Sequence, residues 1–169
     1  MRILWLALVG LAGCSTAGPQ AMIAKAVLVD GQGRTVGEAQ FTDREGKVRI
    51  VVDLRGLPPG THAMHLHTVG ECHGPDFKSA GAHFNPFGKK HGLENPEGPH
   101  AGDLPNFEVK SDGTAHVEVE AKLVTLWEGK NSLFQPGGTC LVVHEKADDH
   151  KTDPAGNAGA RIACGVITR

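Results

Sequence analysis

Nowhere does the sequence carry the apolar spacing of an amphipathic helix, and that absence leaves an all-β chain as the reading. Tyrosine is absent and tryptophan occurs twice, whereas glycine occurs 23 times. Frequent Gly and Pro between short apolar stretches make a chain of many turns. Neither sign of charge dominates. Lys and Arg number 17 and Asp and Glu 19, for a formal net charge of −2 and a pI near 6.5. Nothing in that balance points to a nucleic-acid partner, and none is expected. No apolar run is long enough to span a bilayer permanently. No internal repeat or linker divides the 169 residues, so apart from a leader they make one domain, large enough to bury a core.

The chain starts with a charged residue and a short apolar run, Met1-Arg-Ile-Leu-Trp-Leu-Ala-Leu-Val-Gly-Leu-Ala-Gly-Cys14, which reads as a secretion signal. Its end, Leu11-Ala12-Gly13-Cys14, is similar to a bacterial lipoprotein box. That similarity implies a signal peptide over 1–13, cleavage before Cys14 and lipid on the Cys14 sulfur. A spacer over 14–22 then leads into the domain at 23–169. An ordinary signal peptide cut nearby is the alternative. Either way the mature protein is expected outside the cytoplasm, where disulfides persist. With Cys14 lipidated it would be membrane-anchored, in the periplasm or at the cell surface. Four cysteines allow three complete pairings. If Cys14 carries lipid, Cys72, Cys140 and Cys164 remain and one stays unpaired.

Short strands are expected over Ala24–Val29, Thr35–Phe41 and Val48–Leu54. The third has Val48, Ile50, Val52 and Leu54 alternating with Arg49 and Asp53, a period of two with one buried face. Leu57-Pro-Pro-Gly60 breaks the chain. The next strand, His62–His67, turns Met64 and Leu66 to one face and His65 and His67 to the other, so two imidazoles project side by side. Asn106–Lys110 and Thr114–Ala121 flank Ser111-Asp112-Gly113, a hairpin signal. Cys140–His144 and Arg161–Thr168 complete the set, with Leu141 and Val143 facing in and His144 out. Eight short strands with turn signals describe an antiparallel sandwich or barrel.

Between His67 and Asp103 the chain shows neither helical nor strand periodicity. A structureless excursion this long in a compact domain is functional or disordered. The residues it carries argue against disorder, because His83, His91, His100 and Asp103 are what a tetrahedral zinc site accepts. His65 and His67 lie just before it and His144 far downstream. Six histidines and one aspartate thus make two candidate metal sites with one residue to share.

These residues sit in a series of motifs: His65-x-His67, Ala80-Gly-Ala-His83-Phe-Asn-Pro86, His91-Gly92, His100-Ala-Gly-Asp103-Leu, Leu141-Val-Val-His144-Glu-Lys-Ala-Asp-Asp149 and Gly156-Asn-Ala-Gly-Ala-Arg161-Ile-Ala-Cys-Gly-Val166. In content and order they resemble the copper–zinc superoxide dismutase family, from about Ala24 to the end. The resemblance implies an eight-stranded antiparallel Greek-key β-barrel with long metal-binding and electrostatic loops. It implies dismutation of superoxide to oxygen and hydrogen peroxide by copper redox cycling, as extracytoplasmic antioxidant defence. Copper would be held by His65, His67, His83 and His144, and zinc by His83, His91, His100 and Asp103. Four imidazoles suit copper(II), and three nitrogens with a carboxylate suit a closed zinc shell that orders the loop. His83 would bridge the metals and take up and return a proton, and Arg161 would orient the anion. Asp148 would link His65 to His91, fixing their tautomers. Cys72 and Cys164 would form the disulfide, leaving Cys140 as a buried free thiol.

His62 is expected to be a hydrogen-bonded structural histidine, and His116 a solvated one. Compared with the familiar cytosolic animal enzymes, the stretch from Cys72 to His83 is longer and the loop from Lys146 to Ala160 shorter. Ala155 stands where a threonine is often found. Lys151 is the candidate for an additional steering charge. Some relatives keep this fold, lose a copper ligand and are not catalytic. All seven ligand positions and Arg161 are present here. Family members assemble through different faces, so a homodimer is one expected partner, and Trp127 is a residue for the core or for that interface.

Overall fold

The computed structural model describes residues 21–169. The expected signal over 1–13 and the lipidation site Cys14 lie outside the described residues. Strand β1 (Met22–Asp30) already begins at the last residue of the expected spacer.

Four strands follow the alternation read from the sequence. β1 pairs antiparallel with β2 (Thr35–Arg44), β2 with β3 (Lys47–Leu54), and β3 with β7 (Ala115–Ala121). In β3, Val48, Ile50, Val52 and Leu54 are buried while Lys47, Arg49 and Asp53 face water. On the other side β1 pairs with β9 (Arg161–Val166), β9 with β8 (Cys140–His144), and β8 with β5 (Met64–His67). One seven-stranded antiparallel sheet results, in the order β5-β8-β9-β1-β2-β3-β7. A single apolar cluster contains Met64 and Leu66 from one edge strand and Ala115 and Val117 from the other, so the sheet curls around one core. Phe41, Leu28, Ile50 and Leu141 fill it from strands, and Phe84 and Leu104 from the long loop.

The expected strand His62–His67 is not continuous. β4 (Gly60–His62) pairs instead with β6 (Phe107–Val109) in a separate two-stranded sheet, and β5 starts at Met64. The described residues therefore contain nine strands where eight were expected. Ala63 is the joint. Its N–H donates to Lys146 O at 2.9 Å and its C=O accepts from His144 N–H at 2.8 Å, so the chain is already captured by β8 and its continuation.

The long loop is ordered by its own backbone. Phe84 N–H donates to Leu66 O, Gly102 N–H to Phe84 O and Leu66 N–H to Gly102 O, all at 2.8–2.9 Å. A side chain at Gly102 would collide with Leu66 O, so the approach requires glycine. Apart from one turn of 3₁₀ helix at Lys78–Ala80, the excursion is irregular, as expected.

Candidate metal centre

β5 presents His65 and His67 beside β8, opposite Val142 and Cys140. The expected outer face is not an outer surface, because both rings are fully buried. Loop segments lie over it: His67 bridges to His83 and His65 to Asp103. His144 closes β8 where the pairing with β9 slips, between Val143 and His144. A bulge at this position re-aims the side chain it carries.

Two side-chain clusters result, each with its ligand atoms within 4.8 Å of one another. One holds His65, His67, His83 and His144; the other holds His83, His91, His100 and Asp103. All seven residues are buried, and His83 belongs to both.

The hydrogen bonds show which atom of each ring is free. His67 Nδ1 donates to Gly81 O at 3.0 Å, and His65 Nε2 meets Asp148 Oδ2 at 2.7 Å. That leaves His67 Nε2 and His65 Nδ1 for the first cluster. His67 Nε2 lies 3.4 Å from His144 Nε2. His65 Nδ1, His83 Nε2 and His100 Nδ1 are buried without a hydrogen-bond partner, as is His150 Nδ1 outside the two clusters. Buried polar atoms are almost always satisfied. Several orphans gathered in one place fit cations held between the rings. In the second cluster Asp103 Oδ1 lies 3.1 Å from His83 Nδ1, 3.0 Å from His91 Nδ1 and 3.5 Å from His100 Nδ1. Four ring nitrogens match copper; three nitrogens and a carboxylate oxygen match zinc. On this donor chemistry the residues fit both metals.

Electrostatics prepare the same division. Burial, with the neighbouring imidazoles, holds His83 down to about 4 and His144 to about 3, and it lowers His65 and His67 as well. Neutral rings keep the lone pairs that a metal needs. Burial acts to raise Asp103, but the His100 ring beside it and hydrogen bonds from His83, His91 and the Gly92 N–H outweigh it and keep the carboxyl well below its usual range. Asp148 is depressed in the same sense by His65, His91 and the His150 N–H. His91, between these two carboxylates, is pushed up to about 9 although burial opposes it.

Asp148 touches both clusters, since its other oxygen, Oδ1, meets His91 Nε2 at 3.0 Å. Arg161 is half-buried and donates to Phe77 O and Gly81 O, both at 2.7 Å. Gly81 O thus takes hydrogen bonds from both His67 and Arg161, a connection no spacing in the sequence signals. Cys72 and Cys164 form a disulfide with a Cα–Cα distance of 5.5 Å. Cys140 is a buried free thiol, pushed up to about 12 by burial.

Among the remaining candidates, His62 is structural. Its Nδ1 meets His144 O and its Nε2 meets Pro58 O, each at 2.8 Å. His116 is exposed but not merely solvated, since Asp53 lies 2.6 Å from its Nδ1. Lys151 pairs with Glu94 at 2.9 Å, so its charge is locally offset. Trp127 is exposed, at 41%. Sequence reasoning missed Asn106, which holds the Asp148 backbone.

Comparison with known proteins agrees with this chemistry. A family profile described as copper/zinc superoxide dismutase matches residues 35–167. The protein named superoxide dismutase [Cu-Zn] 2 of Aquifex aeolicus is 53% identical over 150 residues, 88% of each chain. A superoxide dismutase [Cu-Zn] of Caulobacter vibrioides is 46% identical over 147 residues, 85% of this chain and 84% of that one. Among solved structures, a SOD-like protein from Bacillus subtilis superposes with a TM-score of 0.80 at 42% identity, covering 84% of this chain and 96% of that chain.

Proposed function

The chain belongs to the copper/zinc superoxide dismutase family, an oxidoreductase using copper and zinc, and from that premise we propose how its residues divide the work. Copper would be held by His65, His67, His83 and His144. Zinc would be held by His83, His91, His100 and Asp103. The observation that carries this assignment is the pair of buried clusters sharing His83, with unpartnered ring nitrogens turned inward. When bound, copper would supply a one-electron redox couple for superoxide, and zinc a fixed charge that does not change oxidation state.

The chain supplies the rest. His83 Nε2 is the atom that takes up and returns a proton, while Nδ1 stays committed beside Asp103. Arg161 binds and orients the anion. Two carbonyls hold its guanidinium, and its remaining N–H groups are available to superoxide. Asp148 keeps the His65 and His91 rings in the tautomer that turns Nδ1 inward.

The setting is extracytoplasmic antioxidant defence, with the leader over 1–13 removed and Cys14 lipidated. A disulfide suits that compartment, and Leu11-Ala12-Gly13-Cys14 supports the lipid anchor.

The decisive experiment is His144→Ala, studied by metal analysis and a superoxide assay after copper loading. Dismutation should be abolished while zinc stays bound. Full activity in that variant, once adventitious copper is removed, would overturn the assignment.

A further inference from the structure

Asn106 stands immediately before β6 and is half-buried. Its side chain does what an adjacent strand would do. Nδ2 donates to the Asp148 carbonyl at 2.8 Å, and Oδ1 accepts the Asp148 backbone N–H at 2.8 Å. The amide orientation follows from this pairing, since the flipped form would set donor against donor.

The surrounding ladder shows why a side chain is needed there. Residues 144–146 are held on one side through Ala63, which accepts from His144 N–H and donates to Lys146 O. On the other side Glu145 N–H donates to Ala160 O and Lys146 N–H to Ala158 O. Next to Ala63 the chain leaves for the small sheet, where His62 pairs with Phe107. At Asp148 the first side of the ladder has therefore run out of backbone. Asn106, at the foot of β6, takes its place.

Asp148 in turn touches both clusters, His65 through Oδ2 and His91 through Oδ1. Its carboxylate is also confined. A side chain at Gly156 would collide with Asp148 Oδ1, so the backbone of the neighbouring loop lies directly against it. The His150 N–H donates to the same oxygen at 2.6 Å. With backbone packed against Oδ1 and both oxygens bonded to the rings, a displacement of the Asp148 backbone is passed to His65 and His91.

We propose that Asn106 is a positioning residue for both metal centres at once. By fixing the backbone of Asp148 it sets the direction in which His65 and His91 present Nδ1. This rests on the ligand assignment above and goes beyond it by naming the residue that keeps the two centres in register with each other.

The test uses the mature, metal-loaded protein. Asn106→Ala should speed zinc release to a chelator about tenfold, the lower end of the loss typical for groups that orient metal ligands. The copper(II) paramagnetic resonance spectrum should shift in the same variant, because one lever moves both rings. Asn106→Asp keeps the acceptor for the Asp148 N–H and loses the donor, so it should fall between the two. It also serves if the alanine variant does not fold. In an Asp148→Asn background, Asn106→Ala should change zinc release by less than about twofold, since the path is already cut. A residue that only fastened the loop would lower the melting temperature while leaving the copper spectrum and zinc release at wild-type values, and that result overturns the proposal. So does an undiminished effect in the Asp148→Asn background. His91→Ala is the control: zinc retained in that variant overturns the ligand assignment and this proposal with it. Zinc lost in His91→Ala but untouched by the Asn106 variants overturns this proposal alone.

Discussion

The two halves of the curled sheet obey different rules. In β3 buried and exposed residues alternate along the strand, whereas β5 and β8 are buried at every position. Water satisfies the outward groups of the first half. Loops cover the second, so its outward groups must find partners within the chain. Those partners are carbonyls, carboxylates and other imidazoles, and where they fall short the orphaned nitrogens mark the metal centre. The same covering that makes this half costly to fold makes it able to hold ions.

Substitutions in the two halves should therefore fail in different ways. The largest effect is expected at Arg161. The chain is slightly acidic overall, so attraction of an anion depends on a local positive field, which can raise encounter rates by about 10–1,000-fold. Arg161→Glu should lower the second-order rate by about tenfold or more with both metals retained. The fall of wild-type activity with rising salt should weaken or reverse in this variant. Stopped-flow rates across ionic strength measure this, and equal low-salt rates in the two proteins would remove Arg161 from substrate guidance.

Next in size is Phe41→Ala in the apolar half. Phe41 is fully buried, and truncating such a residue costs about 3–5 kcal/mol of stability. Activity per folded, metal-loaded molecule should not change. A rate loss matching the stability loss in denaturant titrations and assays would show the halves to be coupled, against the contrast drawn above.

The smallest effect belongs to the water-facing side of β3 and β7. The hydrogen bond to Asp53, helped by its charge and by Glu118, raises His116 above its ordinary value. A raised folded pKa gives stability that is full below the unfolded value of about 6.5 and is lost as pH rises through the folded one. Wild type should therefore exceed His116→Gln in melting temperature at pH 6 and lose that small margin by pH 9. An equal margin at both would show that the charged pair contributes nothing.

Legibility in the sequence follows the same division. β3 could be read because alternating Val, Ile and Leu encode a half-buried strand locally. The metal-ligand candidates could be read because His and Asp are the donors such sites use. The break at Ala63 could not, because it depends on which backbone captures the chain, and an alanine carries no mark of that. The slip at His144, the Lys151–Glu94 pair and the grip of Asn106 on Asp148 also join residues that fold together without any local pattern. The family resemblance supplied the bridging role of Asp148, and nothing in the sequence pointed one step further out to Asn106.

The Cys72–Cys164 bridge spans 92 residues. Cys164 lies on β9 with Arg161, and Cys72 opens the segment bearing Phe77 and Gly81, whose carbonyls grip that arginine. Maturation of the active site is thereby tied to redox state. A chain kept reduced leaves the arginine's grip without its covalent tether, and oxidation fastens it. Closing so long a loop removes about 4–5 kcal/mol of disorder from the unfolded chain on an entropic account. Oxidation acts here as a ratchet, making the route back to an unassembled enzyme steep once the bridge has closed.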